Sequence, residues 1–223
     1  LRFLGLGLFA EGPRDERFLP PILHRAAEEM CRTRGRSVVE VGRVEILRAG
    51  PEAGERDRAT RILDAARGAG RAVDLLFVHA DGAGNPAAAR ARQVEPSARL
   101  IAGDPSTQRI RVIAVVPVRE TEAWALADGD ALRAAFGSAL DDADLGVPHR
   151  ALDVEGLMDP KRALEDAHQK VLRRRRRRKD GAARFLEAIA ERVRLPRLRE
   201  VPAFAEFERA LEAGLSGLGY LER

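Results

Sequence analysis

The chain has 223 residues, 45% of them hydrophobic, which is enough for one good core and short for two independent domains. No apolar run approaches the roughly 18 to 20 residues that span a bilayer, and the first residues lack the basic-then-apolar layout of a signal peptide, so a soluble, cytoplasmic protein without membrane contact is expected. The net charge is +4, yet the run RRRRRRK at 173–179 alone carries seven positive charges, so the rest of the chain is net acidic and the basicity is local.

A single cysteine, Cys31, excludes an internal disulfide framework, and with only four scattered histidines it excludes a Cys/His zinc cage. Cys31 is expected to pack on a helix. Lysine occurs only at 161, 170 and 179 while arginine is abundant, a pattern of GC-rich bacterial coding. Arginine count by itself therefore carries little functional weight.

Taken in chain order, RFLGLGLFA (2–10) reads as a first strand, and DERFLPPILHRAAEEMCRTRG (15–35) as a helix interrupted at Pro20-Pro21. SVVEVGRVEIL (37–47) follows as a second strand and ERDRATRILDAARGAG (55–70) as a second helix. AVDLLFVHA (72–80), a helical pattern over 85–103 and IRVIAVVPV (110–118) complete the alternation. Short aliphatic strands alternating with helices predict a mainly parallel four-stranded sheet covered on both faces, an α/β fold of Rossmann-like type.

Beyond residue 120 the strand patterns stop. ETEAWALADGDALRAAFG, DPKRALEDAHQKVLRRRRRRK, DGAARFLEAIAERVRL and PAFAEFERALEAGLSGL all read as helices, punctuated by glycines and prolines. The expected organisation is an α/β core over residues 1–127 and a helical C-terminal extension over 128–223 packed on it. No internal repeat or heptad run is present.

In a parallel sheet, ligands gather outside the carboxyl ends of the strands. Three of the four predicted strands end in acid: Glu11 after the first, Asp81 with His79 after the third, Glu120 and Glu122 after the fourth. Hard oxygen ligands converging on one edge suit Mg²⁺ or Mn²⁺, which polarise phosphodiesters and activate water. Each acid taken singly is equally well explained as a helix cap. Capping is the favoured reading of Asp15, and cap or turn that of Asp128. His79 is read as a hydrogen-bonding residue at a strand end ahead of a metal ligand. Trp124, the only tryptophan, is assigned to packing.

The segments FAEGPRDERFLPPIL, LLFVHADGAG and VPVRETEAWALAD resemble the Toprim superfamily, and more narrowly its bacterial branch known as the domain of unknown function 4276 family. DPKRAL and VPAFAEFERAL extend the resemblance over nearly the whole chain. It implies a Toprim-like core in which a glutamate after the first strand, here Glu11, serves acid/base chemistry or metal binding, and an Asp-x-Asp pair after a later strand binds Mg²⁺. Asp81 matches one member of that pair. Its partner position is Ala83 if Asp81 comes first and His79 if it comes second, and Glu120 or Glu122 would supply the missing carboxylate. Similar family members also carry an Asp at the position of Asp15 that approaches the metal.

Two functions follow as expectations. One is an Mg²⁺- or Mn²⁺-dependent nuclease, with Glu11, Asp81 and Glu122 as catalytic residues, Glu11, Asp81, Glu120 and Glu122 as metal ligands, and a role in anti-phage defence. The other is a degenerate regulatory or nucleic-acid-binding subunit working with an AAA-type ATPase. No G-x-x-x-x-G-K-[ST] motif occurs, so ATP hydrolysis would belong to the partner, and GLGLFAEG lacks the G-x-G-x-x-G dinucleotide spacing. The run Arg173, Arg174, Arg175, Arg176, Arg177, Arg178 and Lys179 has two readings, phosphate contact or a solvated loop.

Overall fold

A computed structural model describes residues 1–50, 56–175 and 181–222, with side chains left out for 173–175. The four predicted strands form as β1 (Arg2–Phe9), β2 (Val39–Ile46), β3 (Leu75–His79) and β4 (Arg111–Val115). They build one sheet of order β2-β1-β3-β4 in which every pairing is parallel. All carboxyl ends therefore emerge at one edge.

Alternation along the strands explains the layering. Leu4, Leu6 and Leu8 of β1, with Leu75 and Phe77 of β3, face one apolar cluster, while Phe9, Leu76 and Val78 face another. The second cluster is covered by α2 (Arg58–Ala69) and α4 (Glu95–Gly103). Gly5 sits where a Cβ would lie 1.8 Å from the carbonyl oxygen of Ala72, so the glycines of GLGL serve close chain approach and not a phosphate loop.

Helix α1 (Asp15–Arg34) runs unbroken through Pro20 and Pro21, in contrast to the interruption expected from that pair. Each proline removes an i to i−4 bond and costs about 3 kcal/mol in a helix interior. Burial of Phe18, Leu19, Ile22 and Leu23 on the flanking turns offsets this, at about 1.5 to 3 kcal/mol per side chain. Cys31 is buried on the same helix.

The predicted helix over 85–103 is divided. A short α3 (Pro86–Ala89) passes into a π turn over Arg90–Val94 before α4, with the N–H of Glu95 donating to the carbonyl of Arg90. Pro96, which has no N–H, disfavours the regular ladder there.

After β4 come α5 (Glu122–Ala125), α6 (Gly129–Phe136), α7 (Asp142–Leu145), α8 (Pro160–Arg175), α9 (Leu186–Arg192), α10 (Leu195–Arg199) and α11 (Pro202–Gly217). Their apolar faces join the cluster on the α1 side of the sheet, which runs continuously from Leu4 to Leu221. Trp124 is fully buried there, edge-on to Phe204 at 5.2 Å between centroids, a packing role as expected. The chain end returns to β1, where the Tyr220 hydroxyl donates to the carbonyl of Phe3 at 2.6 Å. No helix among the described residues is long and apolar enough to cross a membrane.

Candidate metal centre

Glu11 and Gly12 leave β1 at the carboxyl edge and turn at once into α1. The N–H of Glu16 donates to the carbonyl of Gly12 at 3.2 Å, and the N–H of Gly12 donates back to Asp15 Oδ2 at 3.1 Å. Asp15 thus performs the reaching-back half of a capping box. It does more than cap, because it is buried and its Oδ1 accepts a 2.7 Å hydrogen bond from the Thr121 hydroxyl.

His79 is the last residue of β3 and its ring is fully buried. Nδ1 lies 3.7 Å from Asp15 Oδ2, and Nε2 lies 3.5 Å from Asp81 Oδ1. Neither ring nitrogen has a hydrogen-bond partner, nor does Asp81 Oδ1. The hydrogen-bonding role expected for His79 is therefore not what the structure shows. Of the two alternatives for the position paired with Asp81, His79 is the one whose side chain stands beside it, just past the end of β3. Ala83 lies exposed in the following turn, at a φ of 47°.

Among the described residues, one ligand atom each from Asp15, His79 and Asp81 lie within 4.8 Å of one another, a group able to hold a metal ion. A single ion takes one of the two ring nitrogens of His79, with one oxygen from each carboxylate. Electrostatics agree with the geometry. Burial pushes His79 down to about 4, with Arg58 and Lys161 adding to the effect of burial and Asp15 opposing it. The imidazole is neutral near pH 7, the form that ligates. Burial first, then the charges of Asp15 and Glu11, push Asp81 up to about 7. The unpartnered ring nitrogens of His79 and Oδ1 of Asp81 are donors that fit a divalent cation.

The other predicted site residues fall around this group. Glu11 lines a cleft of about 570 Å³ together with Arg14, Asp15, Asp81 and Lys161. Its Oε1 is 3.6 Å from Nη2 of Arg58, which also donates to the carbonyl of His79 at 2.5 Å. Glu120 Oε1 accepts from Lys161 Nζ at 2.8 Å, and its Oε2 from the Lys161 backbone N–H at 3.3 Å. Glu122 is buried and accepts from Arg14 Nη1 at 3.0 Å. Burial raises its pKa, with the Arg14 hydrogen bond opposing. Both acids of ETE are thus engaged by cations. Of the cationic run, Arg173, Arg174 and Arg175 belong to α8. Arg176, Arg177, Arg178 and Lys179 lie outside the described residues.

Sequence reasoning missed Arg14, Arg58, Thr121 and Lys161. They come from four separate regions of the chain, and no local pattern marks them. His79 carried a signal, since His-x-Asp at a strand end occupies the same alternate positions as an Asp-x-Asp pair.

No curated protein and no solved structure matches this chain. A family model does match, described as Domain of unknown function (DUF4276), and it covers residues 10–212. That span begins just after β1 and takes in the whole acidic edge and most of α11, and the chain belongs to this family.

Proposed function

We propose that the protein is a divalent-metal-dependent phosphodiesterase acting on nucleic acid. The observation that carries this is the buried imidazole of His79 between two carboxylates with both nitrogens unpartnered. Asp15, His79 and Asp81 would hold the ion, and their mixed nitrogen and oxygen set suits Mn²⁺ better than the all-oxygen preference of Mg²⁺. When bound, the ion supplies Lewis-acid polarisation of a phosphoryl oxygen and a more acidic water. Glu11, which lines the same cleft as Asp81, would accept the proton of an attacking water. Arg58 keeps Glu11 and the end of β3 together by contacting both. The resemblance of the Glu11 and Asp81 segments to Toprim supports phosphoryl chemistry, and seven successive cations at 173–179 favour a polyanionic substrate.

The test is Mn²⁺ binding followed by paramagnetic resonance, paired with cleavage of plasmid DNA and structured RNA. Wild type should bind one Mn²⁺ per chain and cleave. His79→Ala should lose the ion, whereas Glu11→Gln should keep the ion and lose cleavage. No Mn²⁺ bound at millimolar concentration would overturn the proposal and favour a subunit that acts only through a partner such as an AAA-type ATPase.

A further inference from the structure

Residues 120–122 hold three side chains of the cleft in sequence order. Glu120 grips Lys161 at both its backbone N–H and its Nζ, Thr121 grips Asp15, and Glu122 grips Arg14. The Glu122 side chain is only 2% exposed, while the Arg14 side chain it binds is 39% exposed. Burying a carboxylate is costly, and this one is stabilised by the hydrogen bond from Arg14, a cation that also lines the cleft. The second acid near Arg14, Glu165, stands 3.9 Å from Nη2. The two-point contact of Glu120 likewise fixes the direction of Lys161, which is close enough to Asp81 and His79 to influence both electrostatically. The cleft is therefore lined by the acids Glu11, Asp15 and Asp81 and by the cations Arg14, Arg17 and Lys161, of which Arg14 and Lys161 are held beforehand by Glu122 and Glu120.

From this geometry, and resting on the metal reading above, we infer that Arg14 and Lys161 form an anion-binding wall that receives the phosphate group of the substrate beside the ion, with Glu120 and Glu122 as positioning residues. A phosphate oxyanion is the chemistry that the ion and the two cations accept at once: its oxygens ligate a divalent ion and take charge-assisted hydrogen bonds from a guanidinium and an ammonium. A carboxylate-only wall would repel it. The fixed orientation of both cations means that little side-chain freedom is lost on binding.

The test separates this inference from the metal site. Mn²⁺ binding is measured first on the full chain, for wild type, Arg14→Gln and Lys161→Gln. Binding of inorganic phosphate and of a thymidine dinucleotide, which carries one phosphodiester, is then measured by calorimetry with the ion present. The expected result is unchanged Mn²⁺ stoichiometry and at least about tenfold weaker binding of the dinucleotide in each variant, the loss of one charge-assisted contact. Weakening of inorganic phosphate alone would mark a free-phosphate site and overturn the assignment to substrate. Equal affinities in wild type and variants, with the ion bound, would overturn the inference while leaving the metal centre standing. Because Arg14→Gln strands the buried Glu122, the double variant Arg14→Gln/Glu122→Gln removes that charge and should show the same weakening in a folded protein. Failure of Mn²⁺ to bind at all would count against the metal centre and this inference together.

Discussion

Thr121 donates a 2.7 Å hydrogen bond to Asp15 across 106 residues of sequence, joining the exit of β4 to the start of α1 beneath the candidate metal centre. Both groups are buried, so the bond has little competition from water. Partners of this kind orient the ligand, and their loss commonly costs 10- to 100-fold in metal affinity. Thr121→Val keeps the shape and removes the hydroxyl. It should weaken Mn²⁺ binding about tenfold or more and cost about 1 to 3 kcal/mol of stability, while Thr121→Ser should retain most of both. Equal Mn²⁺ affinity in wild type and Thr121→Val would show that the hydroxyl does not orient Asp15.

A second buried acid does purely structural work. Asp128 caps α6 through the N–H of Asp130 at 3.1 Å and accepts from Arg194 at its backbone N–H, Nε and Nη2 at 3.0, 2.8 and 2.8 Å. Burial opposes its ionisation, but the bonds from Arg194 prevail and hold its pKa below the ordinary value. Asp128→Ala removes the cap and leaves a backbone N–H unpaired, so it should cost about 2 to 4 kcal/mol by urea denaturation. Because the pKa is depressed, this stabilisation is complete above the ordinary carboxylate range and is lost as pH falls through the lower folded value. Wild type and Asp128→Ala should therefore converge in stability toward pH 2.

The strands were legible because each is a short apolar run with a nearly continuous core, and parallel pairing follows from the helices between them. The acidic edge was legible for the same reason, since strand ends in a parallel sheet share one side. What sequence could not supply is which acid meets which group. Glu120 and Glu122 look like ligands in the one-dimensional pattern, yet Lys161 and Arg14, one 41 residues after Glu120 and the other 108 residues before Glu122, reach them in space. Asp15 reads as a cap locally and is one, but its second oxygen is committed by a hydroxyl that no helix rule foresees. Pro20-Pro21 misleads because local propensity is outweighed there by burial of the flanking apolar side chains.

The turn between Asp81 and α3 is held by close backbone contact. A Cβ on Gly82 would stand 2.2 Å from the Pro117 oxygen and 2.5 Å from that of Val118, while Gly82 N–H donates to the Arg119 carbonyl at 3.0 Å. Gly82→Ala should therefore cost about 2 kcal/mol or more, by separating the ends of β3 and β4. Ala83, at a φ of 47°, bears the opposite strain. Ala83→Gly relieves about 1 to 2 kcal/mol of left-handed strain against about 0.5 to 1 kcal/mol of added chain entropy, and thermal melting should show a small net gain. A lower melting temperature for Ala83→Gly would mean that the Ala83 methyl packs favourably in the turn.

Asp81 and His79 together make a pH signature that a metal would erase. Asp81 is pushed up from 3.8 to about 7, so between those values the folded chain keeps a proton that the unfolded chain has released, and stability falls as pH rises. His79 is pushed down from 6.5 to about 4, so the unfolded chain holds the extra proton in that window and stability rises with pH. The two slopes oppose each other in the metal-free protein. Asp81→Asn removes one of them, and its stability should climb from pH 4 to 6.5 by on the order of 3 kcal/mol, the His79 contribution alone. The ion requires Asp81 ionised and finds His79 already neutral. Mn²⁺ affinity of wild type should therefore increase about tenfold per pH unit up to about pH 7 and flatten above it, with one proton released per ion bound below that point. Mn²⁺ titrations from pH 5.5 to 8 read this directly, and an affinity that stays level across that range would remove Asp81 from the ligand set.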